Sequence, residues 1–189
     1  MPVGLVYHHL DDADVRAAMV HNWRAEMASL SQSLARDAWP FGRTLSDAGW
    51  AVYLEVMPVA LLEHDDAWLW RCLLDQQLWI KRVHYERLGQ AASARVNVPA
   101  SAATLAVGEF NTAYVRGLAA VLLDHGVETC TVYRAGAAVE PRSECARLEG
   151  QAVRVQAIID GNRASYFPPP GRDGVSVPVG PGCHHSIRA

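Results

Sequence analysis

The sequence predicts an α+β fold, with a helical first half followed by a small β-containing, loop-rich module. Apolar residues recur every three or four positions in the first half, which is the period of an amphipathic helix. Beyond about residue 126, a β-branched run alternates every second position, and glycine and proline become frequent. We therefore expect a helical region over residues 1–95 and an α+β module over residues 96–189, which could also form one continuous domain.

The first two predicted helices follow polar capping residues. A second helix is expected over residues 47–63, with Ser46 as its N-cap and with Pro58 as a kink or break. The first helix follows an acidic turn and carries one apolar stripe, formed by Val15, Met19, Trp23, Met27, Leu30 and Leu34.

A third helix is expected from about residue 65 to Leu88, where Gly89 would stop it. A polar connector should follow over residues 90–95. The helix would carry aromatic residues on more than one face, which indicates packing against other helices or a second subunit. These aromatic residues are Trp68, Trp70, Trp79 and Tyr85.

In the second half, one more helix is followed by segments with the alternating pattern of β-strands. Ser101 is a candidate cap for this fourth helix, and Gly126 should end it. Residues 127–133 alternate and predict a strand, whereas residues 153–159 suit either a strand or a short helix. Residues 174–178 suggest an edge strand that a proline terminates.

Composition excludes several functional classes. The net charge of -3 gives no reason to expect a large nucleic-acid footprint. No apolar run approaches the roughly 20 residues of a membrane span, and the first residues do not resemble a secretory signal. Four cysteines do not form a disulfide framework in a chain of this length. We expect a protein that is not secreted and that works in a reducing compartment.

The chain ends in a cluster of metal-ligand residue types. Cys183, His184 and His185 are adjacent, and Cys145 lies upstream across a loop rich in glycine and proline. Thiolate and imidazole are the ligands that zinc prefers, so zinc is the candidate ion, with Cys130 as a further candidate ligand. The alternatives are that the cysteines are small core residues beside an exposed histidine tail, or that Cys145 and Cys183 form a disulfide.

Other candidate residues are less specific. Glu109 precedes Arg116 by seven residues in a predicted helix, a spacing that favours a solvated ion pair on one helical face. The segment from His64 to Asp66 is typical of a capped helix entry. The sequence contains no nucleophile elbow, phosphate-binding loop or dinucleotide fingerprint.

Four segments of the second half form an ordered pattern. A helix over residues 108–117 leads to Gly126, and a turn over residues 142–151 reads RSECARLEGQ. A proline-rich loop, FPPPG, spans residues 167–171, and a closing GPGCHHSI spans residues 180–187. In order and approximate spacing, these segments resemble the C-terminal domain of the phage Mu F-type minor head proteins, a family of head-morphogenesis components.

The resemblance extends from about residue 104 to residue 189. In the family, the turn contains Cys-x-x-Cys and the chain closes with His-Pro-x-Cys-Arg-Cys, after a helix that opens with an Arg-Thr-Glu-like triplet. Carried over position by position, the resemblance implies Cys145, Cys183 and His185 as metal ligands, with His184 or Cys130 needed to complete a tetrahedral set. This chain departs from the family pattern at Arg142 (first cysteine of the turn), Gly180 (histidine), His185 (last cysteine) and the triplet, which is reduced to Glu109.

The resemblance implies a structural component of a virion or a cytoplasmic phage-derived particle. Such a protein would be oligomeric or part of an assembly, with a portal or shell protein as its partner. Two other classes stay open. One is a small zinc-dependent enzyme with Glu109 or Glu149 as general base. The other is a metal- or thiol-stabilised binding module. We expect no enzymatic turnover, because no nucleophile–base pair is recognisable in the sequence.

Overall fold

The computed structural model describes residues 4–33, 44–87, 89–137, 143–163, 174–180 and 182–189. The predicted α+β class is confirmed: helices dominate the first half, and the second half contains a small antiparallel sheet. The helices are α1 (Ala13–Ser33), α2 (Asp47–Glu63), α3 (Asp66–Cys72), α4 (Val98–Asp124), α5 (Ser143–Leu148) and α6 (Val155–Asp160). The strands are β1 (Arg82–Arg87), β2 (Gln90–Arg95), β3 (Thr129–Arg134), β4 (Ala152–Arg154) and β5 (His185–Arg188).

Helix α4 is the centre of the fold. It packs most extensively against α1, and it also contacts α3, α6 and β5. Phe110 and Tyr114 of α4 are fully buried. One hydrophobic core cluster extends from Val15 in α1 to Ile187 in β5, so the helical first half and the C-terminal module share a core.

The helix caps explain where α2 and α4 begin. The Ser46 hydroxyl oxygen accepts a hydrogen bond from the Gly49 backbone nitrogen at 3.1 Å, and α2 starts at Asp47, as predicted. The helix continues through Pro58 without dividing. Helix α4 begins earlier than expected, because Asn97 rather than Ser101 caps it, and Pro99 suits the first turn.

The predicted helix from residue 65 to Leu88 is wrong beyond Cys72. A short 3-10 turn over Gln76–Leu78 follows α3, with the Asp75 carboxylate accepting a hydrogen bond from the Gln77 backbone nitrogen. This local cap turns the chain away from a helical path. Strands β1 and β2 then pair as an antiparallel hairpin in which Arg82 lies opposite Arg95. Gly89, at a φ of 76°, supplies the left-handed conformation that the tight turn needs.

The aromatic residues of the predicted third helix therefore lie on several elements. Trp79 follows the 3-10 turn, is buried, and donates a 2.8 Å hydrogen bond from Nε1 to the Leu73 carbonyl oxygen. Trp68 and Trp70 are half-buried on α3. Tyr85 is exposed on β1. Most of the indole surface is thus covered within one chain.

The three-stranded sheet has the order β4-β3-β5, with both pairs antiparallel. Residues 153–159, which suited a strand or a helix, are divided between β4 and α6. Residues 174–178 form no strand; the segment instead packs tightly on the end of α6, where Gly161 and Gly174 are in close contact. The proline-rich loop of residues 167–171 lies outside the described residues. None of the helices in the described ranges combines the length and apolar character that a membrane span requires.

Candidate functional site

The last strand is attached to both the sheet and the central helix. In the β3–β5 pairing, His185 lies directly opposite Arg134. The buried Asn111 side chain of α4 donates a 2.7 Å hydrogen bond from Nδ2 to the His185 carbonyl oxygen. The Ala135 backbone nitrogen donates another, at 2.8 Å, to the His184 carbonyl oxygen. These bonds fix the backbone that carries the predicted ligand cluster.

A thiol, an imidazole and a carboxylate form a linear array at this end of the sheet. The Cys183 Sγ atom lies 3.7 Å from His185 Nδ1, and His185 Nε2 lies 3.3 Å from Glu149 Oε2. Arg134 donates two hydrogen bonds to the same carboxylate oxygen, from Nε at 3.0 Å and from Nη2 at 2.6 Å. The hydrogen bonds from Arg134 and then from His185 keep the pKa of Glu149 below its usual value.

The structure brings together only some of the predicted ligands. Cys183 and His185 point to the same side, as residues two apart in an extended segment must. The His184 ring is directed elsewhere, with Nδ1 2.8 Å from the Ala137 carbonyl oxygen. Cys130 lies on β3, opposite Val153 of β4. It is about 13 Å along β3 from Arg134.

Cys145 is the remaining predicted ligand, and its side chain lies outside the described part of the structure. Its backbone belongs to α5, roughly one helical turn before Glu149. The element that carries Cys145 therefore leads directly to the carboxylate that contacts His185. The expected proximity of the Cys145 and Cys183 sulfur atoms stays a prediction.

The Cys183–His185 pair has the spacing of two ligands on one zinc ion. With Zn–S near 2.3 Å and Zn–N near 2.0 Å, tetrahedral ligand atoms lie about 3.5 Å apart, close to the observed separation. A carboxylate on the far imidazole nitrogen is the usual outer-shell partner of a metal-bound histidine. Among the described residues, however, no group of three or more His, Cys, Asp or Glu side chains converges on one point. Cys183 and His185 are therefore two candidate ligands, and the described residues do not complete a zinc site with them.

Both residues of the pair are buried. Cys183 and His185 each expose only 3% of their surface. A nucleophilic thiol or a zinc-bound water must meet a substrate, and this pair is covered in the folded chain.

Glu109 does not form the predicted solvated pair with Arg116. It is buried in the central helix, and its two carboxylate oxygens accept hydrogen bonds from Arg163 at 3.0 and 2.7 Å. The same guanidinium binds Glu26 of α1, with Nε 2.6 Å from Oε1. Arg116 instead approaches Glu26, at 3.6 Å. The prediction was wrong because α4 has no solvated face at position 109.

The pKa values of the two carboxylates that share Arg163 are shifted in opposite directions. Burial raises the pKa of Glu109, with the nearby Glu26 carboxylate adding to the effect, and Arg163 only partly offsets this. Burial also acts on Glu26, but the charge and hydrogen bonds of Arg163, with Arg116 and Asn162, bring its pKa below the usual value. The sequence did not indicate this cluster, because Arg163 lies 54 residues from Glu109 and belongs to no motif.

Comparison with protein-family models, with curated proteins and with solved structures found no match for this chain. The interpretation of the site therefore rests on its own geometry and on the resemblance of residues 104–189 in sequence.

Proposed function

We propose that this protein is a structural component of a phage or phage-derived particle, resembling the minor head and portal-associated proteins. The observation that carries the proposal is the way the closing segment is attached. Residues 183–188 return to β3 and to the middle of α4, so the helix, strand, turn and closing segment form one unit. The segments of the family pattern that are described here follow one another in that order.

The proposal includes a bound zinc ion at the closing segment. Cys183 Sγ and His185 Nδ1 would supply two ligands, and Cys145 is the candidate third ligand on α5. A bound ion would cross-link the last strand to the turn, which adds stability that a loop-rich module cannot obtain from packing alone. In this proposal the zinc ion stabilises the fold of the C-terminal module.

Exposed apolar residues on the outer side of α2 support the proposal that a protein partner binds there. Leu54 exposes 41% of its surface and Leu62 exposes 45%, and Val59 between them is also exposed. Exposed apolar side chains that lie close together on a protein surface are typical of interaction sites. A portal or shell protein is the partner that the proposal assigns to this surface.

The test is co-assembly. The chain would be co-expressed with any portal and shell proteins encoded beside its gene, and the products would be sized by mass photometry. We expect the chain to purify with the portal or the shell in several copies, and its peptides to occur in purified particles. Replacing both Leu54 and Leu62 with Ser should reduce co-purification, whereas the matched control Ala51→Ser on the same helix should not.

A chain that stays monomeric, binds neither protein and is missing from purified particles would contradict the proposal. In that case, zinc binding by the same sample would favour the metal-stabilised binding module. Hydrolytic turnover that His185→Ala abolishes would favour the zinc-dependent enzyme.

A further inference from the structure

We propose that the β1–β2 hairpin binds double-stranded DNA through the phosphate backbone. Residues 81–95, the basic hairpin, would contact the phosphates with four side chains, Lys81, Arg82, Arg87 and Arg95. This inference goes beyond the proposed role in a particle, and it does not depend on the candidate zinc site.

Positive charge is concentrated in the basic hairpin. Its four cations are accompanied by a single carboxylate, Glu86, so the segment has a net charge of +3 when His84 is neutral. The whole chain has a net charge of -3, so the remaining residues together carry -6. A basic protrusion on an acidic body attracts a polyanion to that protrusion alone. The net charge of the chain by itself does not reveal this separation.

The four cations are available to an external anion. All four residues are exposed, and none forms an ion pair with a carboxylate in the part of the chain that the structure describes. Arg82 donates hydrogen bonds from Nε and Nη2 to the Ser93 hydroxyl oxygen, at 3.1 and 2.9 Å. These bonds orient the guanidinium group without neutralising its charge. Arg134 and Arg163, by contrast, each bind a carboxylate of the fold.

The pairing of the two strands is not optimised for stability. Arg82 lies directly opposite Arg95, and like charges at such positions destabilise a strand pair. Strand β2 reads QAASAR, and alanine is depleted in strands. The hairpin makes no extensive contact with another described element that could compensate. Features that lower stability without a compensating contact are typical of functional sites.

The shape of the hairpin suits a groove of duplex DNA. A two-stranded ribbon fits the major groove, which is about 12 Å wide. Arg82 and Arg87 begin and end β1, so their backbones are about 17 Å apart, which is the rise of about five base pairs. Arg82 and Arg95 lie on one face of the ribbon and Arg87 lies on the other. The hairpin can therefore contact phosphates on both sides of a groove.

Other anionic partners fit the hairpin less well. The major groove of double-stranded RNA is too deep and narrow to be read in this way. Single strands are bound largely by stacking on aromatic side chains, and Tyr85 is the only Phe, Tyr or Trp residue within positions 81–95. An acidic protein surface would normally require apolar anchors at the centre of the interface, which the alanine-rich β2 does not supply.

The test is a titration of short, fluorescently labelled duplexes of two unrelated sequences with the purified chain, followed by anisotropy. The salt concentration would be varied between about 25 and 200 mM. We expect equal binding to both sequences, because phosphate contacts carry no sequence information. The logarithm of the binding constant should fall linearly with the logarithm of the salt concentration. The slope should be about -3 to -4 for four phosphate contacts.

Variants separate the hairpin from the rest of the surface. Arg87→Ala should weaken binding to both sequences and reduce the size of the slope by about one. Arg95→Glu should weaken binding by about 10-fold or more at the lowest salt concentration. It should not lower the melting temperature, because it replaces the repulsion from Arg82 with attraction. The matched controls are Arg24→Ala and Arg24→Glu, which alter an exposed cation on α1 and should leave affinity and slope nearly unchanged.

Three outcomes would overturn the inference. The first is absence of DNA binding at the lowest salt concentration. The second is an equal loss of affinity in the hairpin variants and the Arg24 variants, because the contacts would then lie elsewhere. The third is a different partner for the hairpin, seen as preference for single strands or as self-association that Arg95→Glu abolishes. Co-assembly with a portal or shell protein is measured separately, so its failure and the failure of DNA binding are distinguishable.

Discussion

Asn111, in the middle of α4, donates a 2.7 Å hydrogen bond to the backbone carbonyl oxygen of His185 in the last strand. The two residues are 74 positions apart, and both are buried. This one bond connects the central helix to the segment that carries the candidate ligands. It also provides a direct test of how the C-terminal segment is held.

Asn111→Ala should lower the free energy of unfolding by about 1–3 kcal/mol, because the buried His185 carbonyl oxygen loses its side-chain donor. Amide hydrogen exchange at residues 186–188 should accelerate. Chemical denaturation and exchange mass spectrometry measure the two effects. Asn22→Ala is the matched control, since its bond to the Arg116 carbonyl oxygen is long, at 3.4 Å. Equal effects of the two substitutions would contradict the assigned role.

Two glycines of α4 should respond in opposite directions to substitution by alanine. A Cβ atom at Gly117 would lie 2.5 Å from Met19 Cγ and 2.8 Å from the Met19 backbone nitrogen, so α1 would have to move. We expect Gly117→Ala to destabilise the protein by roughly 1–3 kcal/mol. A Cβ atom at Gly108 meets no atom within 4 Å. Gly108→Ala should therefore stabilise the helix by about 0.5–1 kcal/mol. Thermal and urea unfolding give both values, and a stabilising Gly117→Ala would show that the helices are packed differently.

Arg163→Met should destabilise the fold by about 3–5 kcal/mol, because it leaves the buried Glu109 carboxylate and the half-buried Glu26 carboxylate without their shared cation. Adding Glu109→Gln to that variant should recover part of the loss. The exposed Arg147→Met is the control and should change stability by less than about 0.5 kcal/mol. Urea unfolding measures all three variants, and a tolerated Arg163→Met would mean that Glu26 and Glu109 are solvated.

Glutamine should be better tolerated at Glu109 than at Glu26. The pKa of Glu109 is raised, so folding favours its neutral form relative to the unfolded chain, and Gln imitates that form. This preference stabilises the fold at low pH, and the contribution is lost as pH rises through the folded pKa. The pKa of Glu26 is lowered, so its contribution is present above the unfolded value and is lost as pH falls. Near pH 8, Glu26→Gln should cost more stability than Glu109→Gln in urea unfolding. The reverse order would refute the assignment.

Asp66 should make the protein less stable as pH rises from about 4 to 7. Burial raises the pKa of Asp66 from 3.8 to about 6, although its carboxylate accepts a hydrogen bond from the Leu5 backbone nitrogen. The folded chain therefore binds the proton more tightly than the unfolded chain. Its stabilising contribution is complete below pH 3.8 and disappears as pH passes the folded value.

Asp66→Asn should consequently be more stable than the wild type at pH 8, by on the order of 2 kcal/mol, and similar to it near pH 3.5. Unfolding curves over this pH range test the prediction. The exposed Asp124→Asn is the control, and an identical pH response in both variants would exclude Asp66 as the source.

Local signals predicted the elements whose ends are set by nearby residues. Ser46 accepts a hydrogen bond three residues away, so the start of α2 follows from the sequence alone. Gly126, with a φ of 72°, ends α4 where expected. The alternating run after it forms β3, although the strand begins at Thr129. Such features depend on backbone chemistry within one or two turns.

Features set by distant contacts were not predictable. The apolar and aromatic residues of positions 65–88 have the composition of a helix. Only the Asp75 cap and the Gly89 turn show that the chain stops being helical there. The partners of Glu109 lie on α1 and after α6, and nothing in the local sequence indicates them. At the candidate site, residue types indicated Cys183 and His185 as candidate ligands, and the structure places these two side chains next to each other. The contacts of Glu149 with Arg134 and His185 depend on strand register, which one sequence does not provide.

The β1–β2 hairpin leaves and rejoins the body of the protein at one place, where the Val96 backbone nitrogen donates a hydrogen bond to the Lys81 carbonyl oxygen. Its strands are paired with each other and have little other support from the fold. A peptide tag or a small folded label inserted after Gly89 would therefore add length at an exposed tip and leave the α1–α4 packing unchanged. The hairpin thus offers a site for a marker that would locate this chain in electron micrographs of any complex that contains it.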